Sequence, residues 1–213
     1  MFTAFIPIKL TSERVVNKNF RIVKDKPLYH YILNTLKNVD LIDEIVIDYD
    51  KIEVREQIEK DFDGIKFFKR PKSLANPLES VNNLILSNLK NFNNNNILQT
   101  HVTNPLLNSE TVSRALTNYK EEGKPLFSVT THRARFYNHN LEPINHSPNE
   151  LLPTQELNPI FEENSNFYIF SKNQFMQNKR RINVNSNIFE ISKLESLDID
   201  SEEDLDLFRK IIM

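Results

Sequence analysis

Two groups of side chains in this 213-residue chain combine types and spacing that can do chemistry. The first follows the apolar run TAFIPI (3–8), where Lys9, Thr11, Ser12, Arg14, Lys18 and Asn19 crowd a short polar segment. Cations with hydroxyl and backbone donors, just beyond a strand, suit a polyanion. A solvated surface loop would carry the same lysines. The second group is Asp198-Ile199-Asp200. On a strand, side chains two apart share a face, about 6.5 Å from one another along the backbone. Two carboxylates so placed can share a magnesium ion, which takes oxygen ligands and keeps waters or phosphates. Asp200 or Ser201 could instead cap the last helix, with Glu203 or Asp204 completing a capping box. A third stretch, TNPLL (103–107), is by itself a turn with a proline.

The elements that must position these groups alternate. Strand patterns fall at 3–8, 44–50, 65–70, 96–102 and 125–131, with helical spacing at 27–38, 54–62, 80–92 and 109–123 between them. Pro27 suits a first helical turn, Ser109 a cap and Gly123 a stop. Regular alternation predicts a parallel α/β sheet wrapped by helices. Beyond about residue 132 the pattern changes: 133–160 is rich in Asn, Pro and His, without helical period. Strands are expected at 164–172 and 192–200, then a closing helix from Glu202. The middle reads as an excursion, a hairpin arm inserted at about 133–163 in a single domain spanning 1–213.

Composition narrows the classes. A chain with 39% hydrophobic residues can bury one substantial core. A net charge of -2 gives no field directed at nucleic acid or an anionic membrane, so neither is expected as a partner. The absence of cysteine excludes disulfides, thiolate catalysis and Cys-based zinc sites together. The five histidines lack the spacing of a zinc helix, and His30 sits among core positions as a structural residue. The opening MFTAFIPI is too short for a membrane span and lacks a signal peptide's basic start, so a cytoplasmic protein is expected. Only Gly64 and Gly123 occur, so any phosphate loop works without glycine's freedom.

Taken in order, these stretches resemble the acylneuraminate cytidylyltransferase family, the CMP-sialic acid synthetases. IPIKLTSERVVNKNFR resembles the family's opening IPAR-x-G-S-K/R-x-x-x-KN, and LQTHVTNPLL its L-Q-P-T-S-P-L-R. TQELNPIFEENSNFYIF is similar to Q-x-L-P-x-x-x-x-x-N-G-A-x-Y-I, and SLDIDSEEDLDLF to the closing IDID-x-x-x-DL. The likeness covers nearly the whole chain.

The resemblance implies a Rossmann-like, mostly parallel sheet flanked by helices, with a small arm for homodimerisation. It implies transfer of CMP from CTP to a nine-carbon, sialic-acid-like 2-keto acid, with pyrophosphate released and magnesium required. Lys9, Lys18 and Asp198 would be catalytic. Lys9, Leu10, Thr11, Ser12, Lys18, Asn19 and Arg70 would bind the nucleotide, with Arg70 near the cytosine. His101, Thr103, Asn104 and Gln155 would meet the acceptor. Arg133 and Arg135 could hold its carboxylate, or form an exposed basic turn or a dimer contact. Asp198 and Asp200 match the metal pair. Rival readings are a Kdo-type enzyme using an eight-carbon acid, and a nucleotide-binding homologue that has lost catalysis.

Departures from the family pattern cluster near the expected sites. Thr11 stands at the loop glycine, Glu13 at the following cation, His101 at the glutamine and Leu107 at the arginine. Asn164 is followed by Ser165 in place of glycine, and Asn76-Pro77 replaces the usual aspartate.

Overall fold

The computed structural model describes residues 1–12, 14–76 and 78–213. The Glu13 and Pro77 departures therefore lie outside the described residues. A central sheet of seven strands has the order β5-β4-β1-β6-β8-β7-β9. Its members are β1 (Phe2–Ile8), β4 (Ile42–Tyr49), β5 (Ile65–Lys69), β6 (Asn96–Thr100), β7 (Leu126–His132), β8 (Ile160–Ser171) and β9 (Asn187–Glu190). A separate hairpin pairs β2 (Ile22–Val23) with β3 (Lys26–Pro27), turning through Lys24 and Asp25 at positive φ. The main sheet is mostly parallel, but β8 runs antiparallel to both of its neighbours.

Helices cover both faces, and the period-two side chains of the strands divide between them. In β1, Ala4, Ile6 and Ile8 pack into one core and Phe5 into the other. The larger core gathers α1 (Tyr29–Lys37), α2 (Ile52–Asp61), α4 (Ser109–Glu122) and α6 (Glu202–Ile211). The smaller lies under α3 (Val81–Asn88) and α5 (Lys172–Asn178). Amphipathic spacing explains the docking: Tyr29, Ile32, Leu33 and Leu36 of α1 are all buried.

Several expectations are corrected. The α4 cap is Asn108, whose side chain accepts from Thr111 N, and Ser109 is the first helical residue; Gly123 does end the helix at φ 65°. Residues 192–200 form no strand. Ser192 begins a turn, taking Glu195 N on its hydroxyl and Ser196 N on its carbonyl, which competes with ladder pairing. The strand beside β7 lies earlier, at β9. The excursion ends where β8 starts at Ile160, so 160–163 belong to the sheet. Between 133 and 159 the chain forms one isolated bridge, Tyr137 to Pro143, and a 3-10 turn at Thr154–Glu156.

Ser165, in the place of the family glycine, has φ 59°. It sits in a bulge where β8 slips against β7 between Phe127 and Val129. Ser128 Oγ donates to Asn164 Oδ1 at 2.6 Å and accepts from Phe167 N at 3.0 Å, bonding the residues that the slip unpairs.

Candidate active site

The strand order reverses between β1 and β6: the chain runs from β1 outward through β4 and β5, then returns to β6 on the other side. Open α/β sheets bind ligands in the crevice beyond the carboxyl ends of strands at such a point. A cleft of about 210 Å³ lies there, lined by Lys9, Ser12, Lys18 and Asn19 after β1, and by His101 and Thr103 after β6. Arg70, from beyond β5, and Val81 and Leu84 of α3 close its other side.

The loop after β1 is pinned from outside. Asn19 Nδ2 donates to the Lys9 carbonyl at 2.9 Å, and Leu10 N to Asp50 Oδ1 at 2.9 Å. Lys18 opens a short 3-10 turn, Lys18–Phe20, and is only 8% exposed. Its ammonium donates to the Ile199 carbonyl at 2.6 Å and to Asp200 Oδ1 at 3.1 Å. Leu10 instead packs on the larger core, and Thr11 points to solvent.

Arg70 is held for a purpose its own neighbours leave open. Its Nε donates to Asp48 Oδ1 at 2.6 Å, while Asn88 Nδ2 donates to Asp48 Oδ2 at 3.0 Å. Both side chains of the ion pair are 1% exposed. Arg70 Nη1 and Nη2 remain buried without a partner. Buried donors are rarely left so, and these belong to a cleft-lining side chain, so they suit ligand oxygens or a base edge. Burial raises the Asp48 pKa, against which Arg70 acts as the local counter-charge. Asp48 was detectable in sequence as a lone carboxylate within the apolar run of β4.

The Asp198–Asp200 segment meets this loop from the carboxyl-terminal end of the chain. Ile199 N donates to the Thr103 carbonyl at 2.8 Å, tying the segment to the turn after β6. Burial raises the Asp198 pKa and the Asp200 charge adds to the rise, while the Thr103 side chain acts against it. Asp198 Oδ1 is buried without a partner. Asp200 receives Arg14 Nη2 at 2.8 Å as well as Lys18. Asp200 does not cap α6. The cap is Ser201, completed by Asp204 as a capping box. Capping thus occupies neither carboxylate: Asp200 is paired with Arg14 and Lys18, and Asp198 keeps one oxygen without a partner. Among the described residues no group of three or more His, Cys, Asp and Glu side chains gathers to enclose a metal. Two carboxylates, one with an orphaned buried oxygen, fit an ion that takes its remaining ligands from water and phosphate.

His101 is oriented through a chain of bonds. Arg181 Nη1 donates to Gln99 Oε1, and Gln99 Nε2 lies 3.0 Å from His101 Nε2. Arginine can only donate, so the Gln99 amide nitrogen faces the imidazole and His101 Nε2 must accept. The ring proton is then on Nδ1. Burial lowers the His101 pKa to about 4, helped by the Arg181 and Lys18 charges. The ring is a neutral donor at the cleft wall.

The remaining acceptor candidates stand apart from the cleft. Asn104 is fully buried, with its carbonyl accepting from Leu107 N, and Leu107 is itself a core residue. Arg133 Nη1 donates to the Leu157 carbonyl at 3.2 Å, and weakly to that of Gln155 at 3.5 Å. Arg135 Nη2 donates to the Leu152 carbonyl at 2.5 Å. These guanidinium groups brace the 133–159 segment, and Gln155 lies exposed on its 3-10 turn. Arg181 left no sequence signal, since NKRR (178–181) reads as a solvated basic run.

Residues 3–212 match the cytidylyltransferase family model. The chain belongs to the cytidylyltransferase family. Its members are nucleotidyltransferases that use CTP. One relative is the CMP-N,N'-diacetyllegionaminic acid synthase of Legionella pneumophila, 24% identical, covering 98% of this chain and 95% of the relative. Another is the post-translational flagellin modification protein B of Campylobacter coli, 22% identical over 94% and 90% of the two chains. A solved structure of CMP:2-keto-3-deoxy-manno-octonic acid synthetase complexed with CTP superposes with a TM-score of 0.73. It covers 99% of this chain and 98% of its own at 12% identity, a likeness of fold. No helix among the described residues is long and apolar enough to cross a membrane.

Proposed function

We propose that this cytidylyltransferase transfers CMP from CTP to a sialic-acid-like, nine-carbon 2-keto acid, releasing pyrophosphate. The observation that carries the reading is the cleft at the β1–β6 reversal, where Lys9, Ser12, Lys18, Asn19 and Arg70 converge. Full-length similarity to a synthase named for a CMP-linked legionaminic acid supports the acceptor class.

Phosphoryl-type displacement needs in-line positioning and charge neutralisation more than covalent help. Lys9 and Lys18 neutralise phosphate oxygens, and Ser12 donates to them. The two free amino groups of Arg70 meet the base or an adjacent oxygen. Lys18 is already aligned by the Ile199 carbonyl, so little reorganisation accompanies binding. Asp198 and Asp200 would hold magnesium, which when bound supplies charge neutralisation at the α-phosphate and the leaving pyrophosphate. Asp198, with its raised pKa, also suits acceptance of the acceptor hydroxyl's proton.

A second copy of the chain is expected against the 133–159 segment, where Leu141 and Leu151 are 80% and 89% exposed. Work in the cytoplasm follows from the need for CTP. Pyrophosphate release from CTP, measured with nine-carbon and eight-carbon 2-keto acids, tests the proposal. Turnover preferring the nine-carbon acids supports it. Preference for the eight-carbon acid gives a Kdo-type enzyme, and CTP binding without release gives a non-catalytic homologue.

A further inference from the structure

Across His101 from the nucleotide cleft lies a second cavity, of about 340 Å³, lined by Asn82, Glu163, Arg180, Arg181 and Ile182. The two spaces share a wall. Val81 of α3 lines the cleft and its neighbour Asn82 lines the cavity. Arg181 reaches the cleft side through Gln99 and His101.

Arg181 is set as a desolvated, preoriented cation. Its guanidinium carbon stands 3.8 Å over the Tyr168 ring, and one amino nitrogen is fixed on Gln99. Among the described residues neither Arg180 nor Arg181 makes a salt bridge, although the Glu163 charge acts on Arg181. The acid that shares the cavity, Glu163, accepts instead from the Tyr168 hydroxyl. A planar guanidinium on a flat aromatic support, with Glu163 acting on it only from a distance and no ion pair of its own, selects a carboxylate by bidentate contact. The arginines of the 133–159 segment are bonded to its own carbonyls, so they do not compete for this role.

We propose that Arg181 receives the carboxylate of the acceptor sugar in this cavity, and so selects acids over neutral sugars. The assignment rests on the proposed function. Stacking and the Gln99 bond fix the plane of the guanidinium before substrate arrives. With the carboxylate on Arg181, the acceptor spans the His101 wall toward the cleft, where the neutral Nδ1–H of His101 can donate to a sugar oxygen.

The experiment compares wild type, Arg181→Gln and Arg181→Lys with CTP and either N-acetylneuraminate or its 1-carboxamide. For Arg181→Gln the acceptor KM should rise about 30-fold or more, the range for losing one partner of a desolvated charge pair. CTP affinity measured without acceptor should stay within about two-fold, since the group removed contributes to acceptor binding alone. Wild type should prefer the acid over the carboxamide, Arg181→Gln should lose that preference, and Arg181→Lys should recover part of it. An acceptor KM unchanged in Arg181→Gln, or an acid preference that survives, overturns the assignment. So does an equal fall in kcat for acid and amide, which would make Arg181 a positioning residue acting through Gln99. No turnover of any acid sugar by wild type overturns the proposed function, and this is seen before a variant is made.

Discussion

The loop after β1 and the segment 133–159 are both irregular and polar, yet they are held in opposite ways. The loop's bonds run to distant elements: Leu10 to Asp50, Lys18 to Ile199 and Asp200, and Arg14 to Asp200. The bonds of 133–159 stay largely within itself, as Asn145 to Ala134 and Asn158, and Arg135 to Leu152 show. A loop tied into the sheet and the chain's far end inherits their rigidity, which is what the proposed in-line transfer requires. A segment tied to itself keeps its own shape while Leu141, Ile144 and Leu151 face outward. Rigidity at a site therefore comes from where a loop's polar groups find partners.

The largest effect should come from the sheet-anchored rim. Arg70→Ala leaves Asp48 buried and unpaired, which should cost about 3–5 kcal/mol of stability by urea unfolding. Adding Asp48→Asn should return much of that loss, because the uncompensated charge is removed. A single variant as stable as wild type would break the claim that this rim is anchored.

Asp200→Asn should lower turnover about 100-fold or more while the melting temperature moves by at most about 3 °C. The small shift is expected because Ser201, and not Asp200, caps α6. Full magnesium-dependent turnover in this variant would remove Asp200 from the proposed metal pair. Lys18→Ala should act on both axes. It strands the Ile199 carbonyl, costing about 1–3 kcal/mol, and weakens CTP binding roughly ten-fold. Calorimetric titration with CTP showing no change would return Lys18 to a purely structural role.

On the other side of the comparison, Asn145→Ala should cost about 1 kcal/mol and leave CTP affinity unaltered. A fall in CTP affinity would show that the segment reaches the nucleotide. The smallest effect concerns His101. With its pKa lowered to about 4, the folded protein binds this proton less readily than the unfolded chain. Its contribution is therefore fully present above the ordinary histidine value of about 6.5 and is lost as pH falls toward about 4. An imidazole resonance assigned to His101 that titrates near 6.5 would contradict its burial between the two cations.

Local patterns carried much of this protein in its sequence. Strand and helix periods set the alternation from β1 to α4, because each element buries one face and the side-chain period reports which. The clustered cations of 9–19 and the Asp198–Asp200 pair were legible for the same reason: they lie close along the chain, and the resemblance to acylneuraminate cytidylyltransferases put them in order. What tertiary structure alone decided involves partners far apart in number. Whether Asp200 or Ser201 caps α6 depended on Lys18 and Arg14, more than 180 positions away, claiming the Asp200 carboxylate. The pairing of Arg70 with Asp48 required β4 and β5 to lie side by side, and the antiparallel run of β8 had no signature in its own residues. Arg181 shows the limit most plainly. In sequence it is one cation of a basic run, and only the approach of Tyr168 and Gln99 from two neighbouring strands removes its water and gives it a direction.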